Sequence, residues 1–332
     1  MSANYTELKQ VFNFMTSENP ETKVQVRDGK YINYLPTKKL RITVDKAAVI
    51  KSGTVDIKDT AKIVDYIDWD INKSYVMKAD LMMLDLLAHN DWKRPVYYAV
   101  TVGSDNYIGL DDYFQLEGLA YRFVPIKTKN ADQQTGRVAT DLMYKNMMDK
   151  FVWGNMKNEK VYLDQNNLNM TMNFRNNFAR LSESLLNEGK STQSVAVLDK
   201  CNEEMPDKTV PYNMMMLRIT EMYYRNAMQA ATSVDSTGRP IIDPEKMSQS
   251  QKGILEKGNS ILRRLAVIYE DDLNYYYSLR GTKYFAFIEK DMNQSMAIMN
   301  EMVRLSKLTN QPAIIKEMED AYGNVMKKYQ GN

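Results

Sequence analysis

Cysteine and histidine are nearly missing from this chain: each occurs once, as Cys201 and His89, in 332 residues. A lone thiol excludes an intrachain disulfide and a thiolate metal cluster, and a lone imidazole excludes any site built on two. Neither sign of charge is in excess. With 44 Lys and Arg against 42 Asp and Glu, the net charge is +2, and no overall field draws in a nucleic acid or an anionic membrane. Nucleic acid is therefore not expected as a partner. Long apolar runs are missing too: none approaches the ~18 residues of a membrane span. The N-terminus, with Glu7 and Glu18 around a mixed stretch, lacks the basic-then-apolar layout of a signal peptide. Taken alone, these absences predict a cytoplasmic protein; in a piece of a longer chain they carry no information on compartment.

What remains is an ordinary globular composition, 44% hydrophobic and 26% charged, in a chain long enough for two domains. The texture changes along it. Tyr5, Leu8, Val11, Phe12 and Met15 share a helical face ended by Asn19-Pro20. Val24–Tyr34 reads as a hairpin around Asp28-Gly29. Leu40–Val44 alternates as a half-buried strand, Asp45 starts a short helical turn stopped by Gly53, and Ile63–Asp70 leans to a strand. Ala79–Ala88 is a strongly apolar helix.

The densest polar-aromatic stretch follows, from Asp91 to Ile126. Val96–Val102 is β-branched and aromatic with little alternation, which suits a strand buried on both faces. Gly103–Asn106 is turn chemistry, and Gly109 marks a second position for positive φ. Asp111 is expected to cap a short helix through Gly118, with Tyr121–Val124 returning as a strand in a parallel crossover. Residues 138–153 read as a helix, and 165–169 as a polar junction.

Beyond it the pattern is helix pairs. Phe174, Phe178, Leu181 and Leu185 are followed by a break at Gly189, and Val195, Leu198 and Cys201 lie on a helix ending near Pro206. A third helix begins at Pro211 and a long polar loop covers 230–250. Asp243-Pro244 is expected to start the next helix, which carries Ile254, Ile261, Leu262 and Leu265. Helices at about 272–288 and 291–307 and a last one from Pro312 complete the chain. The hexamer from Gln193 aligns with the one from Gln294, an offset close to three tetratricopeptide periods of ~34 residues. The predicted fold is an α/β (or α+β) domain over 1–165 and an all-α, tetratricopeptide-like array over 166–332, whose groove would hold a peptide or protein.

No motif supplies a reactive constellation. Asp65, Asp68 and Asp70 read first as a solvated edge flanking buried Trp69, and only second as metal or acid/base ligands. Asp105, Asn106, Asp111 and Asp112 miss the alternation of a Ca²⁺ loop and suit turns and caps. His89 suits a helix C-terminus, and Cys201 a small buried position. Neither metal nor cofactor is expected. Trp92, Arg94, Tyr97, Tyr107 and Tyr113, with Asp105 and Asn106 beside them, either brace the loop against the sheet or form a hydrogen-bonding aromatic platform for a sugar or peptide.

The run KRPVYYAVTVGSDNYIGLDDYFQLEGLAYRFVPI, with YLPTKKLRITVDKAAVI, VDYIDWD and KADLMMLDLLAHNDWKRP upstream, resembles the soluble C-terminal region of a bacterial family of large polytopic membrane proteins. Those proteins are similar to protein O-mannosyltransferases of the membrane-embedded glycosyltransferase class. The resemblance covers residues 5–126, and the helix pairs are similar to the family's tail. It implies a non-catalytic domain on the periplasmic face of the inner membrane, joined to spans absent from this sequence, that binds acceptor protein, glycan or a partner subunit. The acidic catalytic residues of such enzymes lie in their membrane part, so none is carried over. The other expectation is a stand-alone adaptor that binds peptides in the helical groove.

Overall fold

The computed structural model describes residues 4–129, 134–229, 233–234, 240–241 and 247–330. They form two compact units divided between Met143 and Tyr144, a mixed α/β unit followed by a helical one.

The first unit opens with β1 (Thr6–Glu7) running directly into α1 (Leu8–Thr16), which buries Leu8 and Val11. The expected hairpin is β2 (Lys23–Gln25) and β3 (Tyr31–Asn33), antiparallel around Gly29, whose φ is +82°. Then come β4 (Lys39–Thr43), α2 (Lys46–Lys51), β5 (Tyr66–Asp70) and α3 (Lys78–His89). Asp45 caps α2 by accepting from the Ala48 N–H at 3.0 Å. Strand β4 is central in a three-stranded sheet, parallel to β1 and antiparallel to β5. Leu40 and Ile67 are fully buried and Trp69 nearly so, while Arg41 pairs across the strands with Asp68. The alternation in both segments thus carries its usual meaning.

The second sheet departs from expectation. It contains β6 (Tyr97–Ala99), β7 (Phe114–Leu116), β8 (Ala120–Phe123) and β9 (Arg137–Val138), in the order β6-β8-β7-β9. The β6 strand is three residues at a sheet edge rather than seven buried on both faces. Only Tyr98 turns inward, and a turn in which the Val102 N–H donates to the Ala99 carbonyl at 3.0 Å ends it. No helix spans 111–118: Asp111–Tyr113 makes one 3-10 turn, and Phe114 and Leu116 are pulled into the core as a strand. Strands β7 and β8 are therefore an antiparallel hairpin, and β6 pairs with β8 antiparallel rather than in a parallel crossover. Gly109 (φ +85°) is needed where the loop crosses β5, because a Cβ there would lie 2.5 Å from the Asp70 carbonyl oxygen. The helix predicted over 138–153 is shorter, as α4 (Thr140–Lys145) passes into a π-turn at Asn146–Lys150.

The second unit is built on α5 (Gln165–Asn187), α6 (Ser191–Glu204), α7 (Met215–Met228), α8 (Gln249–Ser278), α9 (Phe285–Lys307) and α10 (Pro312–Gln330). A two-residue antiparallel pairing, β10 (Ser233–Val234) with β11 (Pro240–Ile241), lies between α7 and α8. Residues 165–169 are helical, not a junction, because Asp164 caps them by accepting from the Asn167 N–H at 2.8 Å. Asp243-Pro244 lies outside the described residues, and α8 is capped by Ser248 in a reciprocal box with Gln251. Instead of two helices, α8 is a single one of 30 residues, about 45 Å long; the break falls at Gly281, whose φ is +81°.

Neighbouring helices pack together, and α5 on α7 and α8 on α10 also pack across one helix. The hexamer similarity joins α6 to α9, an odd number of helices apart, so it does not keep the phase of a two-helix repeat. Among the described residues no helix is long and apolar enough to cross a membrane.

Candidate functional site

A cleft of about 750 Å³ opens in the first unit between the start of α1, the end of β4, α2 and the chain leaving α3. Its placing depends on the sequence Asn90–Arg94. Asp91 (φ +47°) and Trp92 (φ +59°) both adopt the left-handed region, which a bulky residue such as tryptophan seldom enters. Asn90 holds them there. Its amide donates to the Arg94 carbonyl at 2.8 Å and accepts from the Arg94 N–H at 3.2 Å, and its carbonyl accepts from the Lys93 N–H at 2.9 Å. Each such residue stores roughly 1–3 kcal/mol of strain. The loop thereby turns the indole back onto Phe123, stacked at 5.6 Å and 8° between planes, and Trp92 and Phe123 line the cleft.

The rim is polar and carries both signs. Lys9 on α1 reaches Asp91 at 2.6 Å, and Lys93 reaches the same carboxylate at 3.4 Å. The Lys9 hydrogen bond holds the Asp91 carboxyl below the usual carboxylate range. Glu7 leaves its own helix uncapped and accepts from the Thr43 hydroxyl and, at 3.4 Å, from the Thr43 N–H. Arg41 is gripped by Asp68 through two bonds of 2.6 Å and lies 4.4 Å over the Tyr66 ring. The Asp68 bond raises the guanidinium's pKa further. Lys51 at the end of α2 and its C-cap Ser52 also line the cleft. Among the described residues no three carboxylate, imidazole or thiol groups converge as a metal site.

Of the seven residues singled out from sequence, only Trp92 lines this cleft. Arg94 is exposed beyond the Asn90 loop, and Asp105 and Asn106 stand exposed in the 3-10 turn at Ser104–Tyr107. Tyr107 is buried among Tyr98, Phe114 and Tyr121, and its hydroxyl donates to the Val102 carbonyl at 3.0 Å. Tyr113 is buried elsewhere, and burial pushes its pKa up to about 12. Tyr97 lies on the β6 edge with its hydroxyl on Glu117 at 2.9 Å. These tyrosines brace the sheet and its loop, and the structure does not gather them into one platform. The three aspartates on β5 and before it are likewise engaged: Asp68 with Arg41, Asp70 with Lys39 at 3.6 Å, and Asp65 with Lys46 at 2.8 Å.

Sequence reading missed Glu7, Lys9, Arg41, Thr43, Lys51 and Lys93. They come from segments tens of residues apart, so no local spacing joins them. The one available signal was the polar Asn90-Asp91 pair interrupting apolar helix and strand.

Residues 1–142 match the family described as TMEM260-associated domain 2, so the match ends one residue before the first unit does. No curated protein and no solved structure matches the chain.

Proposed function

We propose that this chain is a non-catalytic, ligand-holding portion of a larger TMEM260-like membrane protein of glycosyltransferase type, facing the periplasm, and that its first unit takes a glycan in the Trp92 cleft. The carrying observation is the cleft's make-up: an indole with Phe123 behind it, ringed by guanidinium, ammonium, carboxylate, amide and hydroxyl groups. A sugar's hydroxyls donate to carboxylates and accept from Lys and Arg, while Trp92, buried and stacked on Phe123, supplies an apolar wall rather than an open stacking face. The match over residues 1–142 supports the membrane-protein context, and the resemblance described above supports the glycosyltransferase part.

The test is a calorimetric titration with a panel of neutral oligosaccharides. Saturable binding is expected, weakened by Lys51→Ala and Lys93→Ala, both exposed. Binding indifferent to both changes would remove the cleft from the reading, and turnover of a glycoside or sugar donor at enzyme-like rates would end it. Immunoblotting of source cells checks the membrane link: a band far heavier than 38.5 kDa, confined to membranes, is expected.

A second reading, a peptide adaptor, has one observation in its favour. Arg218 and Arg225 on α7 converge on Glu183 of α5 at 3.4 and 2.7 Å, beside Asn176 and Asn187. Such a row offers donors to a peptide's carbonyls or carboxylate. Peptide binding lost in Arg218→Ala, without oligosaccharide binding, would favour it.

A further inference from the structure

We infer that the end of the helical unit where α8 turns into α9 docks on an anionic lipid surface. The inference stands on different residues from the cleft and does not depend on it. Between Asp272 and Glu289 the chain has no carboxylate, yet it carries Tyr275, Tyr276, Tyr277, Tyr284, Phe285 and Phe287 with Arg280 and Lys283. Phe287 is 81% exposed, Tyr275 60% and Tyr284 55%, although the rest of the unit keeps most of its aromatic rings inside.

The end is preformed. Arg280 donates to the Tyr329 carbonyl at 3.2 Å, with its guanidinium 5.5 Å from the Tyr329 ring and 6.0 Å from that of Tyr277. Lys328 donates to Asn274 at 2.9 Å. The last turns of α8 and α10 are thus tied together, and Lys327 and Lys328 join the same end. Tyr284 at the N-cap of α9, then Phe287 and Lys290 within it, follow at intervals of three, each beside the next on the helix surface. They set an amphipathic ring, an apolar ring and a long cation in a row. The nearest carboxylates are Asp271 and Asp272 on α8 and Glu289 and Asp291 on α9. Burial raises the Tyr276 pKa, and Asp272 and Asp291 lie close enough to raise it further.

Two features select lipid. Tyrosines beside a projecting phenylalanine match the headgroup–hydrocarbon boundary, where aromatic residues settle and Lys and Arg reach back to phosphate. Over residues 271–291 and 327–328 five cations, Arg280, Lys283, Lys290, Lys327 and Lys328, stand with four carboxylates, Asp271, Asp272, Glu289 and Asp291. Residues 273–288 around the turn hold Arg280 and Lys283 and no carboxylate, so the charge of the turn itself suits an anionic surface. The chain's small net charge does not oppose this, because headgroup attraction acts within about 10 Å and reads the local cluster. A strand of nucleic acid would instead need a cationic groove in which bases stack in succession; these rings stand on a turn.

The experiment is co-sedimentation of the full chain with vesicles of phosphatidylcholine alone or mixed with phosphatidylglycerol. Binding to the mixed vesicles is expected, with little to the neutral ones. Lys283→Gln should weaken it about fivefold, and Phe287→Ser at least about tenfold. Val152→Ser, on the same unit and 93% exposed, should leave it unchanged. Circular dichroism of each variant confirms folding. Absence of sedimentation with either vesicle, or equal binding by wild type and Phe287→Ser, overturns the inference. So does Phe287-dependent retention on poly(U), or a Phe287-dependent dimer in sedimentation velocity, without vesicle binding.

Discussion

The two units solve the same problem, burying enough surface in a chain of this size, with opposite means. The first uses strands of two to five residues and helices of at most 12, fastened by ion pairs between segments far apart in sequence. It also holds Asp91, Trp92 and Ile108 in the left-handed region. The second uses helices of 14 to 30 residues and places polar groups in its interior. Arg175 is fully buried and makes no ion pair among the described residues; its guanidinium donates to the carbonyls of Met205 (3.2 Å), Val210 (2.5 Å) and Pro211 (2.8 Å). Ser182, Ser194 and Asn226 form a buried chain of hydrogen bonds, and Tyr224 donates to Asn259 at 2.7 Å. Of the five non-glycine residues with positive φ among the described residues, Asp91 and Trp92 shape the cleft, Ile108 lies elsewhere in the first unit, and Asn155 and Asn310 belong to the second. Regular backbone leaves side chains to set how one helix sits on the next.

The largest way to break this contrast is Arg175→Leu. It strands three carbonyls of the α6–α7 connection, and by analogy with broken buried ion pairs it should destabilise the helical unit by about 3–5 kcal/mol. Amide exchange read peptide by peptide should show protection lost from α5 to α7 and kept in β4 and β5. An equal loss in both units would mean that they unfold as one.

Glycine replacements sharpen it next. At Gly109 an alanine would strain a φ of +85° and press on the rigid Asp70 carbonyl, for a loss of about 2–4 kcal/mol in thermal unfolding. At Gly258, in α8, the added methyl meets the Tyr224 ring at 2.6 Å. A side chain can shift where a carbonyl cannot, so Gly258→Ala should lose less, about 1–3 kcal/mol. The reverse order would refute the assignment of rigidity to the first unit.

Acid separates Asp59 and Asp80 of the first unit from Asp272 of the second by sign. For Asp80, burial would raise the pKa, but the Lys73 ammonium and the Met77 N–H outweigh it and hold it low. Asp59 behaves likewise with Lys62 and Arg137. Groups with depressed folded pKa values contribute stability above their unfolded value, near 3.9, and lose it as the pH falls through the folded one. In the helical unit burial, and then Asp271, raises the Asp272 carboxyl, so its contribution runs the other way, gained on acidification and lost as the pH rises through its folded value. Exchange protection in β4, β5 and α3 should therefore fall below about pH 4 before that of the end of α8. The smallest expected effect is at Lys9→Ala, where an exposed pair with Asp91 is lost; it should change stability by under about 1 kcal/mol.

Much of the fold was legible where one residue decides a local geometry. Asp28-Gly29 marked the hairpin, Asp45 the cap of α2, and Pro312 the start of α10. Reading failed where pattern and topology compete. The run at 96–102 has the composition of a central strand yet forms an edge, since composition does not record how many neighbours a strand will have. Phe114 and Leu116 alternate over too few residues to reveal a strand within DDYFQLEG. The cleft was legible only at Trp92. Asp91 tolerates left-handed backbone, but nothing in Asn-Asp-Trp-Lys announces that Trp92 must follow it there.

The packing of α5 to α10 has a consequence in time as well as in space. Each helix rests mainly on those next to it or next but one, and its side-chain bonds still close long loops, of 35 residues for Tyr224–Asn259 and 80 for Gln294–Met214. In the first unit β1 must wait for β4, more than thirty residues on, and the Lys9–Asp91 pair spans 82. Newly made, the chain can complete neither unit until partners some 80 residues on have emerged.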